Sequence, residues 1–366
     1  MDKRSLLLGL HELPGIGWKS ILQLLELLEE PSRLLNRDGA ELARFGIAKQ
    51  RAEQITGKLS VSFIEERIAK YEKAGIRFVT IFDREYPQLL RETAQPPWVL
   101  YAIGNLSLLE AVSVAVVGTR TPTVYGKRVA ETLSEDLSAA GLCIISGLAR
   151  GIDSAAHRGA MKAEGSTIAV LGCGIDVVYP PENAGLYREI AERGLIVAEQ
   201  PAGMAAKPGL FPLRNRIIAG ISRGTLVVEA AERSGSLITA DQALECSRDV
   251  FAVPGPITSP KSMGALSLIK QGAKTVTGAS DIIEEYGLLL TKGKNIPASP
   301  PLLDKRLSAL TEEERHVYGL LSPSPTSFDH ILEHTQTNFG HLHAILLSLQ
   351  MRKMIEQLPG PAYVIT

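Results

Sequence analysis

The chain has 366 residues, 45% of them apolar, enough for two or three domains with filled cores, which excludes wholesale disorder. With 39 Lys and Arg against 40 Asp and Glu it is not a uniformly basic nucleic-acid binder, so any such binding must use a local basic patch. Cys143, Cys173 and Cys246 are odd in number, far apart and without metal spacing, which fits free thiols of a cytoplasmic protein.

No apolar run reaches bilayer length, so no membrane partner is expected. The leucines at the start run straight into Glu12 and Pro14-Gly15, which argues against a secretory leader. Residues 1–65 read as a helical domain. His11-Glu12-Leu13-Pro14-Gly15-Ile16-Gly17 separates two leucine-rich helices, and a fainter copy runs from Leu42 to Gly57 around Gly46-Ile47. The phrase LPGIG resembles a helix-hairpin-helix motif, also found in SAM-like domains, whose turn offers main-chain N–H groups to a nucleic-acid phosphate. The plainer reading is that any tight turn between helices wants glycine. Trp18 and Lys19 follow the turn and suit either reading.

Residues 66–290 read as an α/β core. Strands are expected at Ile76 to Ile81 and Trp98 to Ile103, extending the sheet at an edge where the nearby prolines are tolerated. Val114 to Val117 then stops at Gly118-Thr119-Arg120, and a long helical pattern follows through Val129, Leu133 and Leu137. Leu142 to Ile145 stops at Ser146-Gly147, and a second helix begins near Asp153. Strand, glycine turn and helix, twice over, indicate a parallel sheet whose ligands bind at the carboxyl ends of the strands. The alternation continues with strands at Thr167 to Leu171, Leu195 to Ala198, Thr225 to Val228, Val250 to Val253 and Lys274 to Val276.

Residues 291–305, rich in proline and glycine, read as a linker. In residues 306–366, Thr311 and Glu314 form a capping box, and three helices precede a hairpin around Pro359-Gly360. That order resembles a winged helix. Its third helix, Asn338 to about Lys353, carries basic residues only at its end, which favours partner docking over groove reading.

The chemistry follows from the strand ends. Backbone N–H groups of the two glycine turns, with Arg120 and Arg150, suit phosphates. Lys127, Arg128, Arg158, Arg214 and Arg216 come from separate segments that the fold brings to the same edge. Tyr125, Tyr179 and Phe211 are candidates to stack on bases. Asp153 and His157, one helical turn apart, read either as an acid/base pair or as a helix cap bonded to a histidine, with no nucleophile beside them. Glu229, at a strand end near Glu232 and Gly235, reads either as a general base or as a holder of Arg214 or Arg216. The first turn lacks Gly-x-Gly-x-x-Gly and no Walker lysine motif is present, so no cofactor is expected, and neither a catalytic set nor a metal site.

The phrases VVGTRTPTVYG, SGLARGIDSAAH, FPLRNRIIAGIS, RSGSLITADQA and FAVPG, in that order between Val116 and Gly255, resemble the bacterial DNA-processing protein A (Smf) family. The resemblance implies an extended Rossmann-like core that binds single-stranded DNA in a positive pocket. It also implies a homodimer that protects incoming DNA and loads the RecA recombinase during natural transformation, and it implies no enzyme. The family's phosphate-pocket motifs carry over onto Gly118, Thr119 and Arg120, onto Ser146, Gly147, Arg150 and Gly151, and onto Arg214, Asn215 and Arg216. Asp153, His157, Glu229 and Gly235 are expected to shape the pocket. Thr119 stands where serine is frequent. Pro181 stands where a lysine follows Tyr-Pro, a contact that Lys207 is placed to replace. The alternative is a nucleotide hydrolase of the phosphoribohydrolase kind. Against it, Arg233 to Asp241 lacks that group's Pro-Gly-Gly-x-Gly-Thr-x-x-Glu phrase.

Overall fold

The computed structural model describes residues 1–25, 34–36, 38–163, 166–290, 310–322, 325–335, 337–352, 354–358 and 360–365. The expected linker, 291–305, lies outside the described residues. Nine strands of the described residues form one sheet: β1 Arg77–Thr80, β2 Val99–Gly104, β3 Ser113–Val117, β4 Cys143–Ser146, β5 Thr167–Gly174, β6 Leu195–Gln200, β7 Gly224–Val227, β8 Asp249–Ala252 and β9 Lys274–Thr275. Their order is β1-β2-β6-β5-β4-β3-β7-β8-β9. The strands from β3 onward pair in parallel. β2 joins β6 antiparallel and β1 joins β2 antiparallel, which is the expected extension at the edge.

Parallel strands are covered on both faces and so read as unbroken apolar runs. β3 and β4 are buried along their whole length. The helices Val124–Ala139 and Ile152–Lys162 cover one face, packing Leu133, Leu137 and Ala156 on Val114, Val116 and Ile144. The helices Leu210–Ile221 and Gly235–Glu245 cover the other, packing Ile217, Ile218 and Ala240 on Ala115, Val117 and Ile145. The chain leaves β3 towards β4, β5 and β6, then crosses back to β7 on the other side of β3. That reversal places a crevice beyond the carboxyl ends of β3 and β7.

The N-terminal residues form the expected pairs of short helices. Gly15 (φ 79°) turns the chain between Lys3–Glu12 and Trp18–Gln23, and Gly46 (φ 78°) turns it between Gly39–Ala43 and Lys49–Lys58. Leu6, Leu10, Ile21 and Ile55 share one apolar core with Val99, Tyr101 and Ile196 of the sheet. Two polar ties cross the same seam. Glu12 accepts hydrogen bonds from the hydroxyls of Tyr71 and Tyr101. Trp18 stacks on Trp98 at 5.3 Å, while its indole N–H donates to Pro96 O at 2.7 Å and that of Trp98 donates to Trp18 O at 3.0 Å. Trp18 therefore docks the first hairpin onto the sheet unit.

The last residues fold as a winged helix. The helices Glu312–Leu320, Phe328–His334 and Phe339–Met351 enclose a small core of Val317, Ile331, Leu342 and Leu346. The capping box of Thr311 and Glu314 is present. The strands Thr326–Ser327, Ile355–Leu358 and Ala362–Ile365 make a three-stranded sheet.

Candidate nucleic-acid interface

The turn after β3 is tied down by Glu229, which stands just past β7. Thr119 N donates to Glu229 O at 2.7 Å. Thr123 donates to the Glu229 carboxylate through its N–H, at 2.8 Å, and through its hydroxyl. The Thr123 hydroxyl in turn accepts from Gly126 N at 3.0 Å and caps the helix Val124–Ala139. Glu229, only 4% exposed, thus closes the crevice where the strand order reverses. It holds neither Arg214 nor Arg216, as one sequence reading had it: those arginines lie across β3, over β5 and β6.

The turn after β4 folds around Asp153. Its carboxylate accepts from Gly147 N at 3.2 Å and from Ala149 N at 3.4 Å. Burial pushes its pKa up, while the charge of Arg214 and the two backbone donors hold it down. Neither sequence reading of Asp153 and His157 stands. Gly151, not Asp153, is the N-cap of Ile152–Lys162. His157 Nδ1 meets Thr167 Oγ1 at 2.7 Å, and that hydroxyl donates to Ile144 O at 2.7 Å, so Nδ1 carries the proton. Burial drives the imidazole down to about 3, with Arg214 and Arg158 adding to the shift, and His157 is a neutral core residue. The i,i+4 spacing misled because the helix face bearing His157 points into the sheet.

Two glycines of this turn are required by what crosses it. A Cβ on Gly147 would lie 1.9 Å from Arg214 Nη1, and one on Gly151 (φ 78°) 2.4 Å from Thr119 O, where the two turns touch. Leu148 adopts φ 54°, a conformation unusual for a branched side chain. Asn183 supports it by donating to Leu148 O at 2.8 Å and Ser154 Oγ at 2.9 Å. Sequence reasoning did not single out Asn183. Ser146 is fully buried and donates to Val116 O at 2.7 Å, joining β4 to β3.

The three pocket arginines play different parts. Arg214, 6% exposed, donates from Nη1 to Gly147 O and to Val170 O, the latter at 2.6 Å, and from Nε to Asn215 Oδ1 at 3.1 Å. Burial lowers its pKa and Asp153 opposes that. It is an internal brace whose outer edge reaches the pocket floor. Arg120 is exposed, its guanidinium 5.3 Å from the ring centroid of Phe211. Phe211 and Tyr179 lie 5.5 Å apart with planes 34° from parallel. Arg150 is exposed and paired with Glu182, which raises its pKa.

Arg120, Arg150 and Arg214 line one pocket with Tyr179, Phe211 and the backbone of Gly147 and Gly172. Among the described residues, no carboxylate lines it. Other residues named from sequence are not in its lining. Asn215 Nδ2 reaches Gly235 O at 3.5 Å. Arg216 is bound to Glu199 and, at 2.6 Å, to Gln95 O. Tyr125 is half-buried, its phenol pushed up by burial and then by the charge of Glu229. Lys261, which sequence reasoning missed, donates to Thr121 O on the first turn.

An arginine-lined pocket at the carboxyl edge of a mostly parallel α/β sheet places positive charge where such folds take their ligands. Residues 77–287 match the family model described as DNA recombination-mediator protein A, and residues 299–361 match the DprA winged helix domain. The chain belongs to the DNA recombination-mediator protein A family, as its motifs implied. It is 36% identical to Protein Smf of Synechocystis over 97% of each chain. It is 41% identical to Protein Smf of Escherichia coli, over 88% of this chain and 86% of that one. Its fold superposes on the X-ray structure of DNA processing protein A from Streptococcus pneumoniae with a TM-score of 0.70 and 36% identity, covering 78% of this chain and 99% of that one. A structure of DNA processing protein A from Helicobacter pylori, described for its single-stranded DNA binding mode, gives 0.53 at 31% identity, covering 58% and 96%.

Proposed function

We propose that this protein binds single-stranded DNA across the carboxyl edge of the sheet and, as a cytoplasmic homodimer without catalytic residues, passes it to RecA during natural transformation. The observation that carries the reading is the convergence of three guanidinium groups and an aromatic pair on one pocket. Arg120 and Arg150 meet backbone phosphates, and Tyr179 and Phe211 offer ring faces to bases of any sequence. Gly118, Thr119, Ser146, Gly147 and Gly151 set the turns. Glu229, Asp153 and Arg214 brace them from behind, while Arg216 is tied to Glu199, Asn215 reaches Gly235, and His157 packs in the core. The Helicobacter pylori relative's single-stranded DNA binding supports the same ligand class.

Nucleotide hydrolysis is the weaker reading. It needs a carboxylate facing the sugar, and Asp153 and Glu229 are turned onto backbone and hydroxyl donors instead. The test is fluorescence anisotropy with single-stranded and duplex oligonucleotides across a salt series. Arg120→Ala weakens binding to unrelated sequences alike and flattens the slope of log K against log salt by about 0.7, the share of one phosphate contact on a single strand. Unchanged affinity and slope in that variant would remove Arg120 from the interface.

A further inference from the structure

Five of the seven histidines fall between His316 and His343, within the winged helix, where the DNA pocket makes no use of them. Three groups there converge on the short helix Phe328–His334. His330, Glu333 and His334 are all exposed, and one ligand atom from each lies within 4.8 Å of the other two. Their positions, i, i+3 and i+4, put them on one helical face. The order His-x-x-Glu-His also spaces two histidines as zinc-holding helices do.

The geometry prepares one of the ligands. His334 Nδ1 lies 2.8 Å from His330 O, and a carbonyl oxygen only accepts, so Nδ1 carries the proton and Nε2 keeps its lone pair. This backbone contact is the kind that orients metal-binding histidines. The two imidazole centroids are 4.3 Å apart. His334 is the last residue of its helix, where the carbonyl end favours a cation. A tetrahedral zinc ion with bonds of about 2.0–2.1 Å holds its ligand atoms about 3.3 Å apart. Closing the cluster therefore asks for shifts of about 1.5 Å or less, which exposed side chains make by rotation.

We propose that His330, Glu333 and His334 form a divalent transition-metal site of the zinc class on the second helix of the winged helix domain, with water in the fourth position. Ser327 caps that helix, accepting from His330 N. The site acts as a clamp across that helix's last turn.

The test uses the full chain, with Zn²⁺ in competition with a chromophoric chelator and with Co²⁺, whose visible absorption reports tetrahedral nitrogen and oxygen ligation. One equivalent is expected to bind. His330→Ala and His334→Ala are each expected to weaken binding at least about tenfold, since loss of a supporting group alone costs 10–100-fold. His341→Ala, an exposed histidine bonded to Glu313 outside the cluster, leaves it unchanged. Glu333→Gln removes the charged ligand without touching either imidazole, and it decides the matter if a histidine variant loses its circular dichroism signal. Absence of binding, affinity unchanged in Glu333→Gln and in the His330 and His334 variants, or loss of binding in His341→Ala would overturn the proposal.

Discussion

Replacing Arg214 by methionine tests its role as an internal brace. Methionine keeps much of the length and loses the charge and every donor. Gly147 O and Val170 O then lose a charged donor deep inside the protein. Hydrogen bonds to charged groups contribute about 1.5–3 kcal/mol each, so the two are together of order 3–6 kcal/mol. Part of that is offset, because burying the guanidinium was itself unfavourable, as its lowered pKa indicates. The remaining loss is expected to be about 3 kcal/mol. Both tryptophans, Trp18 and Trp98, lie on the seam between the N-terminal helices and the sheet, so their fluorescence follows unfolding of this unit in guanidinium chloride. DNA affinity is expected to fall as well, because the turn at Gly147 loosens. Arg120→Ala, by contrast, changes stability by no more than about 0.5 kcal/mol, as surface substitutions do. An Arg214→Met protein within about 1 kcal/mol of the parent would refute the bracing role.

His157→Asn tests the buried imidazole. With a folded pKa of about 3 against an ordinary 6.5, the unfolded chain binds the extra proton between those values. The contribution of His157 is therefore full above pH 6.5 and lost as the pH falls towards 3. At pH 5 the loss is about 2 kcal/mol, since each unit is worth about 1.36 kcal/mol. Asparagine keeps a donor near Thr167 and should lessen the acid sensitivity by that amount; the same pH profile in both proteins would contradict it. Gly151→Ala forces a Cβ to 2.4 Å from Thr119 O at a φ of 78°, and a loss of at least about 3 kcal/mol is expected. A shift below about 1 kcal/mol in the same denaturation assay would mean that the two turns part easily.

Much of the core was legible because parallel strands declare themselves. The runs Val114 to Val117 and Leu142 to Ile145 are apolar on both faces, and glycines follow each. The capping box of Thr311 and Glu314 was likewise local and was read correctly. What failed was partner choice. Glu229 bonds Thr123 at a separation of 106 residues, and Arg214 bonds Gly147 at 67. Nothing local announces such pairs, so proximity in sequence suggested the wrong arginines for Glu229. Helical spacing likewise joined Asp153 to His157, although one turns back to the loop and the other into the sheet. Arg216, placed at the pocket edge with Arg214, lies two residues from it, a separation that sends it to another side of the helix and onto Glu199. The role of Trp18 as a docking residue depended on Trp98, 80 residues away.

The measurement that tests the central claim most directly is photo-crosslinking of the full chain to a single-stranded oligonucleotide carrying halogenated pyrimidines, with the attached peptides identified by mass spectrometry. Crosslinks are expected at Tyr179 and Phe211, and they should vanish in Arg120→Ala at a salt concentration where the parent still binds. Crosslinks confined to the N-terminal helices or to the winged helix, with Tyr179 and Phe211 untouched, would contradict the account.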